Sequence, residues 1–247
     1  MAAVPNNLIT LYGRNPVLEA LSDPAITPWR LHLSERNRPA DVLDSIETLA
    51  HQRGIEVHRH TPERLSRISR NGKQDQGVAL DIIAPGHQSA QALLDTQGTC
   101  RLLALDRIHN PQNLGMIIRS VTAGFIDGIL LPKKGSSGLN ALAIKASAGT
   151  ALRCNIYHCK ELIDVLPDLI DAGFFIYTLQ ADAPQSAFEA DIPKRCILVL
   201  GNESEGVSDS IQAMAHGGLA IPMRGNIESL NVAATATLLS FLPGLRA

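Results

Sequence analysis

Three short polar segments, each directly after an apolar run, hold the residue types in this chain that could do chemistry. DRIHNPQN follows Leu105, GNESEG follows Leu200, and PMRGNIESLN follows Ile221. In the first, Asn113 lies near the start of a helical pattern and Arg119 sits six residues further along it. Arg119 stands among Met116, Ile117, Ile118 and Val121, where a guanidinium either snorkels to water or meets an anion. His109, just ahead, carries an imidazole, the group best suited to proton transfer near neutrality. The second segment puts Gly201 and Gly206 around Glu203. Glycines there permit either close backbone approach to a ligand or a tight strand-to-helix turn with Ser208 as its cap. In the third, Pro222 ends a strand, Gly225 permits a turn, and Ser229 is placed to cap a helix containing Leu230, Asn231 and Val232. Exposed backbone N–H and C=O groups in such a loop can bind an adenine edge.

Loops of this kind converge only if the strands before them run side by side in one direction. From Arg101 onward, short apolar runs alternate with helical patterns. Strands are expected at RLLALD, Gly128–Pro132, FFIYTL, CILVLG and Gly218–Pro222. Helices are expected at Asn113–Gly124, Leu139–Ala148, Lys160–Asp171, Asp209–Ala215 and Ser229–Leu242. Near-continuous apolar strands separated by helices indicate an α/β fold with a parallel sheet covered on both faces. Ligands of such sheets sit beyond the carboxyl ends of the strands, where the three segments fall. Neither GxGxxG after a strand nor GxxxxGK[ST] occurs. The loop KKGSSGLNA, Lys133–Ala141, could cradle a phosphate or serve as a plain connection.

Residues 1–87 read as a separate small α/β module, with residues 88–99 as a polar linker and 100–247 as the larger domain. In the module, Asn15-Pro16 opens a helix, RLHLS alternates as a strand, Asp41–Ala50 is helical, IEVHR alternates again and Gly77–Ala84 closes as a strand. Thr61-Pro62 caps a short helix whose Arg64, Arg67 and Arg70 share one face, a candidate RNA-binding stripe whose alternative is a solvated helix face. His51 and the pair His58/His60 lack metal-ligand spacing and read as solvated surface, and no metal site is expected. The net charge of −2 excludes a protein that is basic throughout, and the 4% aromatic content excludes rows of stacking rings. Four scattered cysteines without a CxxC pair point to reduced thiols in a cytoplasm, and no run of apolar residues suggests a membrane span or secretion signal.

The three segments, in this order and spacing, resemble motifs one to three of the SpoU (TrmH-type) RNA 2′-O-ribose methyltransferases of the SPOUT superfamily. They read here as Asn113-x-Gly115-x-x-x-Arg119, Gly201-x-Glu203-x-x-Gly206 and IPMRGNIESLNV from Ile221 to Val232. Through GRNPVLEAL and QGVAL, the N-terminal module resembles the ribosomal-protein-like substrate-binding domain of bacterial 23S rRNA-modifying enzymes. The resemblance implies a deep trefoil knot in the C-terminal domain, an exception to the usual unknotted connections. It also implies a homodimer with the active site near the subunit interface, and S-adenosylmethionine as cofactor. The implied cofactor-binding residues are Thr178, Leu179, Leu200, Gly201, Ile221, Pro222, Met223 and Leu230. Those implied to be catalytic are Arg119, Asn113, Glu203, Ser229 and Asn231, with Asn113 and Glu203 aiming Arg119. The expected substrate is structured RNA, 23S rRNA ahead of tRNA, with guanosine favoured; a non-catalytic RNA-binding relative is the other reading. A different α/β nucleotide enzyme such as a dehydrogenase fits less well without a glycine fingerprint.

Overall fold

In the computed structural model, residues 5, 8–24, 26–84, 86–225 and 227–245 are described. They divide into two compact units, residues 1–85 and 86–247, each of which folds around its own sheet.

The first unit runs β1 (Leu8–Tyr12), α1 (Arg14–Ser22), β2 (Thr27–Ser34), α2 (Asp41–Gln52), β3 (Glu56–His60), α3 (Pro62–Ser69) and β4 (Val78–Ile83). Its sheet has the order β1-β4-β2-β3, with only β2 and β3 parallel. Leu31, Leu33, Leu80 and Ile82 are fully buried on one face, as alternation requires. α1 begins at Arg14, behind Gly13 at φ 91°, two residues before the start that Asn15-Pro16 suggests. The Thr61 hydroxyl accepts from the Arg64 amide at 3.4 Å and caps α3, as the sequence predicts. His60 is buried rather than solvated, because β3 sits beside β2 and its inner end faces a polar core. There His32 joins His60 at 2.9 Å and Asp81 at 3.0 Å, and Thr10 donates to Asp81 at 2.6 Å.

The second unit runs β5 (His87–Ser89), a 3₁₀ turn (Ala90–Leu93), β6 (Cys100–Leu105), α4 (Pro111–Ala123), β7 (Gly128–Pro132), α5 (Ala141–Ala146) and β8 (Ile156–Cys159). It continues with α6 (Leu162–Asp171), β9 (Phe175–Leu179), β10 (Gln185–Ser186), β11 (Arg195–Leu200), α7 (Asp209–Gln212), β12 (Gly217–Ala220) and α8 (Val232–Leu245). All eight strands are parallel, in the order β10-β12-β9-β11-β6-β7-β8-β5. One face carries the core of α4, α5 and α8, and the other that of α6 and the 3₁₀ turn. The central strands β6 and β11 are apolar on both sides, which is what burial on two faces demands.

Two expectations change here. Residues 88–99 are not a free linker: β5 pairs with β8, and Ala90 and Leu93 are fully buried under the sheet. Their neighbours are polar because they face solvent, which gives the segment the composition of a linker. The last helix starts at Val232 rather than Ser229, since Asn231 takes the capping position.

Gly115, the middle residue of the first motif, has a packing role. A Cβ there would lie 2.3 Å from the Ala143 carbonyl oxygen and 2.6 Å from the Ala146 Cβ, so only glycine lets α4 and α5 approach this closely.

Beneath this layer, His87 Nε2 donates to the Ala151 carbonyl at 2.9 Å, which leaves His87 Nδ1 to accept from His158 Nε2 at 3.2 Å. Burial, then His87 and Lys133, push the His158 imidazole down to about 4. The unfolded chain takes up this proton near the ordinary histidine value of about 6.5. The stability it provides is therefore complete above that value and is lost as pH falls towards about 4. Thermal unfolding should show Tm dropping steadily from pH 7 to pH 4.5, and His158→Gln should flatten that part of the profile.

Candidate active site

The three polar segments meet at one buried side chain. Asn113 lies in the first turn of α4, whose start is fixed by Asn110: its Oδ1 accepts from the Gln112 amide at 2.8 Å, and Pro111 occupies the first helical position. The Asn113 Nδ2 donates to Glu203 Oε1, and the Asn113 Oδ1 accepts from Asn231 Nδ2 at 3.2 Å. Asn231 Oδ1 in turn accepts from the Ala233 amide at 2.9 Å and caps α8. The chain of bonds has a fixed direction. A backbone N–H can only donate and a carboxylate can only accept, so both amide orientations follow.

Gly201 and Gly206 act chiefly on each other. Asn202 and Gly206 exchange backbone hydrogen bonds at 3.1 and 2.9 Å, closing a tight loop that presents Glu203 at its tip. A Cβ on Gly201 would lie 2.1 Å from the Gly206 backbone, so the loop closes only with glycine at 201. The tight turn read from the sequence is observed, and Gly201 and Gly206 both line a cavity at this edge of the sheet. Ser208 precedes α7, with its amide donating to Asp106 at 2.8 Å.

Beyond the carboxyl ends of β9, β11 and β12 lies a cavity of about 420 Å³. Leu179, Leu200, Gly201, Ile221, Met223 and Leu230, all singled out in the sequence, line it together with Glu203 and Ser229. Thr178 and Pro222 do not. Thr178 is fully buried in β9 and its hydroxyl accepts from Gln180 Nε2 at 2.9 Å, while Pro222 is exposed, between the lining residues Ile221 and Met223. Asn113 and Asn231 stand behind the wall and hold the loops that form it. Sequence reasoning missed Gln180, Asp182, Glu205, Gln212 and Glu228 on the wall, and the pair Asp106–Arg107 beside it. Asp106 and Arg107 directly follow β6, so position alone could have pointed to them.

The wall combines apolar side chains with four carboxylates, Asp182, Glu203, Glu205 and Glu228, and no Lys, Arg or His among the described lining residues. Glu205 is paired with Arg107 from outside the wall, and the other three carboxylates favour a ligand with cationic groups over a diphosphate.

Arg119 is not brought to this cavity by its own chain. Six residues after Asn113, it lies about 240° further round α4 and is exposed. Asn113 and Glu203 bond to each other, not to Arg119. His109 is also exposed. In the first unit, Arg64 and Arg67 point outward from α3, but Arg70 lies one residue past it in left-handed conformation at φ 54°. Its side chain therefore departs from the helix end rather than from the shared face. Arg59, on β3, is held by Glu47 at 2.8 Å.

Comparison with known proteins agrees with this arrangement. Residues 101–241 match the SpoU rRNA methylase family, and residues 10–87 match the RNA 2′-O ribose methyltransferase substrate-binding family. A 23S rRNA (guanosine-2′-O-)-methyltransferase RlmB of Xylella fastidiosa is 31% identical over 94% of each chain. A tRNA/rRNA methyltransferase of Mycolicibacterium vanbaalenii, itself uncharacterized, is 34% identical over 91% of this chain and 72% of its own. Two solved structures share the fold. The SpoU methyltransferase AviRb of Streptomyces viridochromogenes in complex with AdoMet has a TM-score of 0.71 at 18% identity, covering 97% of this chain and 90% of its own. The AdoMet-bound rRNA methyltransferase of Sinorhizobium meliloti has a TM-score of 0.67 at 22% identity, covering 97% and 88%.

Replacing Asn113 with Ala should leave Glu203 and Asn231 without their shared partner and destabilise the second unit by about 1–3 kcal/mol, measurable by urea denaturation. Asn113→Asp should cost more at pH 8 than at pH 5, because it sets a second carboxylate against Glu203. With one amide joining the loops of all three motifs, and more than half of its length inside the matched region, the chain belongs to the SpoU rRNA methylase family.

Proposed function

We propose that this protein transfers a methyl group from S-adenosylmethionine to a ribose 2′-hydroxyl of 23S rRNA, at a guanosine, and does so as a homodimer in the cytoplasm. The observation that carries the reading is the junction of Glu203, Asn113 and Asn231 behind an apolar, acidic cavity at the carboxyl edge of the parallel sheet. Family membership and the name of the Xylella relative support the reaction and the RNA.

The residues present fit the cofactor. Leu179, Leu200, Ile221, Met223 and Leu230 offer apolar walls for an adenosine, and the carboxylate rim suits a molecule bearing a sulfonium and an ammonium. When bound, S-adenosylmethionine supplies an activated methyl group on a good leaving group. The chain's own task is then alignment, where well-oriented reactants gain roughly 7–11 kcal/mol, together with handling one proton. Ser229 and Asn231 are assigned to the target nucleotide or the cofactor, and Glu203 and Asn113 to holding the loops in register. Arg119 is assigned to the RNA phosphate and to the negative charge that develops on the ribose oxygen. The trefoil knot implied by the family belongs to this reading, with the loops at 201–206 and 221–230 as its cavity-facing parts. Arg64, Arg67 and Arg70 are assigned to RNA capture by the first unit, residues 1–85, which takes the substrate-binding role, with residues 86–247 as the catalytic domain.

The dimer reading answers where Arg119 works. α4 exposes Met116, Arg119 and Ala123 on one face, and α8 exposes Leu238, Phe241 and Leu245; Ser120 and Thr237 join the two helices at 2.7 Å. α8 is thus apolar on its exposed as well as its buried side, as a helix covered by a second copy would be. Arg119 on this face would serve the cavity of the partner copy.

Purified protein incubated with labelled S-adenosylmethionine and unmodified 23S rRNA should produce one 2′-O-methylguanosine. Methylation of tRNA alone would move the substrate, and no methylation of any RNA would favour the non-catalytic relative. Arg119→Ala and Glu203→Gln should each lower kcat at least a hundredfold. Mixed heterodimers of the two variants should regain activity if Arg119 acts across the interface, and should remain inactive if it acts within its own chain. Full loss in His109→Ala with Arg119→Ala still active would instead make the imidazole the base. Phe241→Glu should give a monomer by sedimentation.

A further inference from the structure

The loop Lys133–Asn140 has no part in the cavity, yet it is fastened with care. The Lys133 amide donates to the Cys159 carbonyl at 3.0 Å, Lys134 to that of Lys160 at 3.1 Å, and Ser137 to that of Ile108 at 2.7 Å. Gly135 makes the turn between these anchors at φ 76°. The loop is therefore pinned across the carboxyl ends of β6, β7 and β8, on the edge of the sheet that also bears the cavity. A groove of about 350 Å³ opens beside it, lined among others by Lys133, Lys160, Ser89, Gln91 and Asp164.

The lysines here differ in one respect. Lys134 is bound to Glu161 at 2.8 Å, whereas Lys133 and Lys160 are exposed and form no ion pair among the described residues. Two exposed ammonium groups outside any close ion pair, lining one groove beside a pinned loop, suit an anion. Ser89, Gln91 and the Asp164 carboxylate add acceptors and donors of the kind that ribose hydroxyls use. The groove follows β8, three strands from β11, which puts it about 14 Å along the sheet edge from the cavity.

We infer that this groove binds a ribose-phosphate unit of the RNA backbone a few nucleotides from the methylated one, with Lys133 and Lys160 on the phosphate. The inference rests on the RNA substrate proposed above. It gives the catalytic unit its own grip on RNA, independent of the arginines of the first unit, and it separates charge along one edge: an acidic cavity for the cofactor, a basic groove for the strand.

The test compares wild type, Lys133→Ala/Lys160→Ala and Lys134→Ala for binding to unmodified 23S rRNA over a range of salt concentrations. The double variant should bind roughly three- to tenfold more weakly, with a salt slope smaller by about 0.7–0.9 for each phosphate that is no longer neutralised. Lys134→Ala should match wild type, since its ammonium is already paired, and Lys133→Arg/Lys160→Arg should recover the slope. Calorimetric affinity for S-adenosylmethionine should be equal in all, which also shows that each variant is folded. Unchanged RNA affinity and slope in the double variant, with wild type active, would overturn the groove alone. Binding of inorganic phosphate or guanosine monophosphate that disappears in the double variant, while RNA affinity stays unchanged, would make it a small-anion site and also overturn the inference. Failure of wild type to bind or methylate the RNA would instead remove the substrate reading, and the groove's role with it.

Discussion

One amide side chain ties the functional half of this molecule together. Asn113 is buried, so each of its polar atoms must find a partner inside the protein or carry the cost of desolvation. Its nitrogen meets Glu203 and its oxygen meets Asn231, two residues drawn from loops far apart in sequence. No other side chain of that size would serve. An aspartate would set two carboxylates against each other, and a leucine would leave both partners unpaired. The start of α4, the tip of the Gly201–Gly206 loop and the start of α8 are consequently held as a unit. The cavity wall inherits its shape from that unit, although Asn113 itself does not line it.

Around this junction the charges are sorted. Carboxylates rim the cavity, while Lys133 and Lys160 line a separate groove and Arg64 and Arg67 are exposed on the first unit. A polyanion drawn towards those surfaces is discouraged from entering the cavity with its phosphates, and a cationic small molecule is drawn in. The same protein can then hold two ligands of opposite charge without either competing for the other's place. The modest net charge of −2 conceals this arrangement, because it is a sum over regions of opposite sign.

Much of this was legible in the sequence, for identifiable reasons. The doubly buried strands β6, β7 and β11, and the half-buried β9, announce themselves as apolar runs, and the polar residues after them mark the working edge. β5, β8 and β10 went unseen because two to four residues give too few positions for a pattern, and IYHC mixes polar with apolar types. Lining residues such as Leu179, Leu200 and Met223 were reached through motif resemblance; Thr178 and Pro222 show its limit, since neighbours in a strand or extended loop point in opposite directions. Gln180 and Gln212 carry no signal at all in sequence, as their role arises only from a bond at 3.1 Å between segments 32 residues apart. His60 was misread because a lone histidine pattern does not reveal that Asp81 and His32 lie across the sheet from it.

The strand order has a consequence for how the chain is made. β6 is the centre of the larger sheet, yet Cys100 pairs with Arg195, 95 residues later. Translation at about 5–20 residues per second leaves an interval of roughly 5–20 s in which one edge of this apolar strand has no partner. Pairings this distant close slowly even in a finished chain, because the intervening loop must lose its freedom before any contact forms. β7 emerges first and can cover one side of β6 at once, but the side reserved for β11 stays open to any other unpaired strand. The arrangement that gathers three distant loops at one amide thus leaves a central strand half-paired through most of the synthesis of the larger unit.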